Sequence, residues 1–167
     1  MLSTDQVVHE LYDSPDVRDA VTERFGESVA PGGVVDRSAV ARAAFATPQE
    51  RSWLEGLLWP RVGARIAAWR HELERFSDPP RAAVVEVPLL FESGMADAFD
   101  STIAVAAEEE TRARRAGQRG HEALAERGAR QLSQEEKLLR ATYVVRNDGS
   151  VEELEEKLSE ILEMLAT

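Results

Sequence analysis

Three short apolar runs limit what this chain can fold into. They are residues 82–88 (AAVVEVP), 101–106 (STIAVA) and 142–147 (TYVVRN), and helical or charged sequence separates each from the next. Short valine-rich runs between helices predict buried parallel strands, because a strand covered on both faces need not alternate polar and apolar residues. The opening Met1–Thr4 reads as the end of a further strand running into a helix. The expected class is therefore α/β with a parallel sheet. Few strands are available for such a sheet, which becomes important below.

The rest of the chain supplies helices. Asp5 is expected to cap a first helix whose apolar stripe is Val8, Leu11 and Tyr12. Pro15 opens a second, ended by Gly26, and Asp36 caps a third at about 37–45. Pro48 begins a fourth; Trp59-Pro60 is expected to interrupt it, with a longer helix following through about Phe76. Residues 13–76 thus form a helical insertion. Residues 108–140 are a charged helical stretch, and 150–165 form an amphipathic helix carrying Leu154, Leu158, Ile161, Leu162 and Leu165. No internal repeat or flexible linker appears, so residues 1–167 are expected to form one domain.

Composition removes several kinds of function. The formal net charge is −11, which repels phosphate backbones and argues against nucleic acid as a partner. Cysteine is absent, so disulfides, thiolate catalysis and Cys-based zinc sites are excluded, and the composition fits a cytoplasmic protein. His9, His71 and His121 show no metal-ligand spacing, and no protein-held metal is expected. No apolar run approaches the roughly 20 residues that span a bilayer, so no membrane association is expected.

Candidate chemistry lies where strands end, since ligands of open α/β sheets bind beyond the carboxyl ends of the strands. Glu92, in PLLFESG (88–94), follows one predicted strand; a loop glutamate capping a short helix would look the same. Asp5 follows another and could take a proton from a substrate hydroxyl, or could simply cap its helix. Arg112, Arg114, Arg115, Arg119, Arg127 and Arg130 form a basic cluster in an acidic chain. Such arginines can stabilise a transferring phosphoryl group, or can be a solvated face paired with glutamates. His9 and His121 read as surface residues, and Trp53, Trp59 and Trp69 as core or wall residues.

In order along the chain, the segments ERFGES (23–28), VVDRSAV (34–40), AFATPQERSWLEGLLWP (44–60), PLLFESG (88–94) and QLSQEEKLLRATYVVRNDGSVEEL (131–154), with Asp5 ahead of them, resemble the dephospho-CoA kinase family. Each motif alone is weak; their shared order and spacing make coincidence improbable. The resemblance implies a P-loop kinase-like parallel sheet, a CoA-binding helical subdomain at 13–76 and a helical lid at 108–140. It implies transfer of a phosphoryl group from ATP, with Mg2+, to the 3′-hydroxyl of dephospho-CoA. Asp5 would be the general base, with Arg115 and Arg119 on the transferring group. Arg37, Pro88, Leu89 and Glu92 would serve the substrate, and Asn147 and Gly149 the nucleotide.

Departures accompany the likeness. The family's His-Pro is Trp59-Pro60, the first aspartate of its D-x-D is Ser3, and its A-D-Y-V-I-D-N reads Ala141-Thr142-Tyr143-Val144-Val145-Arg146-Asn147. No G-x-x-x-x-G-K-[ST] phosphate loop occurs. By resemblance, the family's central first strand, that loop and a helix belong ahead of Met1, about 25–30 residues in all. A start site placed too late is the expected cause, because a GTG codon encodes valine as well as a start. Unpaired backbone groups at about 1–3 kcal/mol each, set against about 5–15 kcal/mol of total stability, predict an unstable chain, incomplete and inactive as it stands. The rival expectations are a non-catalytic binder of CoA-like ligands and another small-molecule kinase of the same superfamily.

Overall fold

The computed structural model describes residues 1–118 and 131–165. They form two compact units, Met1–Pro88 and Leu89–Thr167.

The first unit begins with β1 (Leu2–Ser3), which runs directly into α1 (Thr4–Asp13). Then come α2 (Pro15–Phe25), two short 3-10 turns, α3 (Arg37–Ala44), α4 (Pro48–Glu74) and β2 (Val85–Glu86). β1 and β2 are parallel, with Leu2 opposite Val85 and Ser3 opposite Glu86. The helices close on Tyr12, Val17, Val21, Val29, Val40 and Leu58, with Phe25 and Trp53 packed edge-to-face beside them, ring centroids 5.3 Å apart. Gly26 leaves α2 at φ 86°, which a side chain would strain. Asp36 caps α3 as expected, its carboxylate accepting from the amides of Ser38 and Ala39.

Two expectations are corrected here. Trp59-Pro60 does not interrupt α4, which is continuous with Pro60 inside it. An internal proline costs a helix about 3 kcal/mol, but Leu58 and Val62 on either side are both buried and hold the turn in place. Asp5 is not the cap of α1. The N-cap is Ser3, and Asp5 is the second helical residue. The Thr4 hydroxyl donates to the Glu86 carbonyl at 3.1 Å, tying the start of the helix to β2.

The second unit contains β3 (Ile103–Ala106), α5 (Glu109–Gln118), α6 (Gln134–Arg140), β4 (Tyr143–Arg146) and α7 (Val151–Leu165). β3 and β4 are parallel, from Ile103 opposite Tyr143 to Ala106 opposite Arg146. Among the described residues β1 pairs with β2 and β3 with β4, in two separate two-stranded sheets. The strands are shorter than the apolar runs, and they are not buried on both faces. Val105 is 53% exposed and Val144 46%. A strand in a two-stranded sheet has one neighbour, and here only alternate positions such as Val145 and Ala106 are covered. Within the expected lid region, α5 and α6 are described; Arg119, His121, Arg127 and Arg130 lie outside the described residues.

Candidate active site

In the first unit, Asp5 and Arg37 start from different helices. Asp5 is exposed in the first turn of α1, just beyond the carboxyl end of β1. One turn further along α1, on the same face, stands His9. Its Nδ1 is hydrogen-bonded to Nη1 of Arg37, the first residue of α3. A guanidinium only donates, so His9 Nδ1 is the acceptor in this contact. Arg37 is thereby drawn to the helix that carries Asp5. His9 is exposed, as the sequence leads one to expect, and its four-residue spacing from Asp5 is the signal that sets it on the same face of α1. Pro88, at the end of this unit, is exposed.

In the second unit the nucleotide candidates meet an arginine. Asn147 follows β4, its amide donating to the Ala106 carbonyl at 2.7 Å. Arg115, half-buried on α5, donates from Nη1 to the Asn147 carbonyl at 2.7 Å and from Nη2 to the Gly149 carbonyl at 3.1 Å. The planar guanidinium suits this two-pronged contact, which a lysine could not make. The Glu108 amide donates to Asp148 Oδ1 at 2.6 Å, closing the same corner. Arg112 and Arg114 are exposed, and Arg112 pairs with Glu109.

Leu89 and Glu92 open this unit on a tight turn. Glu92 Oε1 accepts from Lys137 Nζ at 2.9 Å and from the Leu132 amide at 3.1 Å. Its side chain is 12% exposed, and Oε2 is buried with no hydrogen-bond partner among the described residues. Burial opposes ionisation, but the Lys137 ammonium, the Glu92 backbone amide and, last, the Leu132 amide outweigh it and hold the carboxyl below the ordinary glutamate range. Nothing in the spacing of the sequence pairs Lys137 with Glu92, although Lys137 stands in the segment 131–154 that carries the family likeness.

Among the described residues, no three histidine or carboxylate side chains gather where they could hold a metal ion. No described helix is long and apolar enough to cross a membrane.

Parallel strand pairs that run into helices, with acidic and basic side chains at the strand carboxyl ends, define an α/β protein whose ligand site is expected beyond those ends. The profile of the family described as dephospho-CoA kinase matches residues 1–153, and the chain belongs to that family. It is 36% identical over 168 residues to the dephospho-CoA kinase of Deinococcus radiodurans, spanning 99% of this chain and 80% of that one. A solved protein from Thermus thermophilus superposes with a TM-score of 0.77 at 33% identity, over 98% of this chain and 83% of the other. The dephospho-CoA kinase of Campylobacter jejuni shares the fold with a TM-score of 0.67 at 22% identity, over 99% and 84% of the two chains.

Proposed function

We propose that the chain carries out the acceptor side of an ATP-dependent phosphorylation of the 3′-hydroxyl of dephospho-CoA. The observation that supports this best is Asp5: an exposed carboxylate immediately beyond the carboxyl end of a parallel strand. There it can accept the hydroxyl proton as the oxygen attacks the γ-phosphorus of ATP and ADP departs. Arg37, oriented by His9, and the turn holding Pro88, Leu89 and Glu92 would engage the substrate, with residues 13–76 as the CoA-binding subdomain and 108–140 as the lid. Asn147 and Gly149 would lie against the nucleotide. Arg115 would steady that segment as well as face the transferring group, with Arg119 beside it in sequence.

Mg2+ would arrive with ATP as part of the co-substrate. The described carboxylates do not fit a resident ion, and no step is assigned to one. The acidic surface and the absence of cysteine favour a cytoplasmic protein that does not bind nucleic acid.

Phosphoryl transfer also requires donors around the β- and γ-phosphates, and no G-x-x-x-x-G-K-[ST] stretch in these 167 residues supplies them. The 167 residues by themselves would therefore bind dephospho-CoA with little turnover. The test is calorimetric titration with dephospho-CoA and with ATP, alongside an ADP-release assay. Binding of dephospho-CoA, with whatever ADP release accompanies it lost in Asp5→Asn, is the expected result. Failure to bind dephospho-CoA would remove the proposal. Binding without turnover in any form of the chain would favour a non-catalytic CoA-ligand protein.

A further inference from the structure

The loop that opens the second unit folds back on itself. The Ser93 amide donates to the Leu89 carbonyl at 2.9 Å, and the Met95 amide to the Leu90 carbonyl at 3.2 Å. Gly94 completes the turn at φ 70°. Glu92 leaves this turn to take both the Lys137 ammonium and the Leu132 amide on Oε1. One residue beyond Ser133, Gln134 Oε1 accepts from the Ala107 amide at 3.2 Å, just past the end of β3. The segment 131–137 is thus fastened on one side to the loop and on the other to the strand end from which α5 departs.

We propose that Glu92 is a positioning residue: through Lys137 and the Leu132 amide it sets the spacing between the substrate-side loop and the carboxyl end of β3. The proposal rests on the proposed function only for the role given to the loop at 88–92. Two observations separate this pair from the exposed ion pairs elsewhere in the chain. Its carboxylate is largely buried, and that carboxylate also holds a backbone amide of the second segment. A buried ion pair contributes little net stability, since replacing it by apolar groups of similar size is often neutral or stabilising. Its value lies in fixing geometry, which methionines at the same two places would not reproduce.

That contrast supplies the experiment, made on the full chain. Glu92→Met/Lys137→Met, Lys137→Met and Lys137→Arg are compared with the parent by thermal melting, by hydrogen exchange at the Leu132 amide and by titration with dephospho-CoA. The double variant is expected to melt near the parent. Its Leu132 amide should exchange about tenfold faster, and its dephospho-CoA affinity should fall about tenfold because the loop has shifted. Lys137→Met alone should lose as much affinity as the double variant, and Lys137→Arg should restore most of it. A double variant that keeps the parent's Leu132 exchange and affinity overturns the proposal, as does an affinity loss no larger than the loss of folded protein. If the parent itself fails to bind dephospho-CoA, the substrate assignment falls, and unchanged or accelerated Leu132 exchange still decides for or against the fastening.

Discussion

The unit Met1–Pro88 buries valines. Val17, Val21 and Val40 are its largest fully covered side chains, with Tyr12, Val29 and Leu58 around them. Among the described residues, the unit Leu89–Thr167 has a thinner apolar interior of Ala106, Ala107, Val145 and Ile161, and it also buries Thr102 and Thr111. Bonds between named polar groups take up much of its organisation: the Glu92–Lys137 pair, the Arg115 fork on two carbonyls, and Thr102 with Thr142. Apolar packing is non-directional and tolerates exchange of shape, whereas a polar stitch loses its value when one partner is removed. Substitutions in the two units should therefore fail differently. The largest effect belongs to the first. Val21→Asp places an unpaired charge in the valine cluster and should cost more than about 4 kcal/mol. Circular dichroism should report loss of helix at room temperature; a cooperative melt near the parent's would break the comparison at its base.

The next effect concerns relative protection. Native-state hydrogen exchange should find the slowest amides in α2 and α3, around Val17, Val21 and Val40, and faster exchange in β3 and β4, whose Val105 and Val144 face solvent. Equal protection in both units would mean that the polar stitches contribute as much as the valines.

This difference also explains what could be read from the sequence. The helices of the first unit follow from local signals: Pro15 and Gly26 around α2, Asp36 before α3, and apolar residues at helical spacing. The local rule failed at Pro60, where burial of Leu58 and Val62 overrides the cost of the ring. It failed again at Asp5, where the helix, tied at its start by the Thr4–Glu86 bond, begins two residues earlier than the assigned cap requires. In the second unit the ends of the stitches lie far apart in sequence. Arg115 and Asn147 are 32 residues apart, and Glu92 and Leu132 are 40. No periodicity pairs such residues. The order of the motifs pointed to Arg115 and Glu92, but their partners appear only once the chain is folded.

Two of those stitches can be cut singly. Arg115→Lys keeps the charge but cannot span both carbonyls, and should cost about 1–3 kcal/mol, with faster exchange confined to 147–150. Thr102→Val removes a hydroxyl that accepts from the Thr142 amide at 3.0 Å. The amide is left without that acceptor, at a cost of about 1–2 kcal/mol. If Thr102→Val and Thr142→Val together cost no more than one alone, the two hydroxyls act as a unit. Full additivity would reduce them to independent contacts.

The smallest effect is a titration at the start of α6. Ser133 and Glu136 form a capping box: the Ser133 hydroxyl accepts from the Glu136 amide, and the Glu136 carboxylate accepts from the Ser133 amide. The Ser133 amide and then its hydroxyl hold the Glu136 carboxyl below the ordinary glutamate range, with Arg140 adding a smaller pull in the same direction. A carboxylate whose pKa is lower folded than unfolded favours the folded helix end above the unfolded value, and that contribution fades as pH falls through the lowered one. Protection of the 133–137 amides, corrected for intrinsic exchange, should therefore hold at neutral pH and decline in acid. Glu136→Gln keeps an oxygen that accepts from the Ser133 amide but cannot ionise, so its own contribution to the acid decline should vanish. Glu92 also titrates near this segment, so the comparison is made in Glu92→Gln as well. A decline that follows Glu92 alone would transfer the acid sensitivity of α6 from its cap to the buried pair.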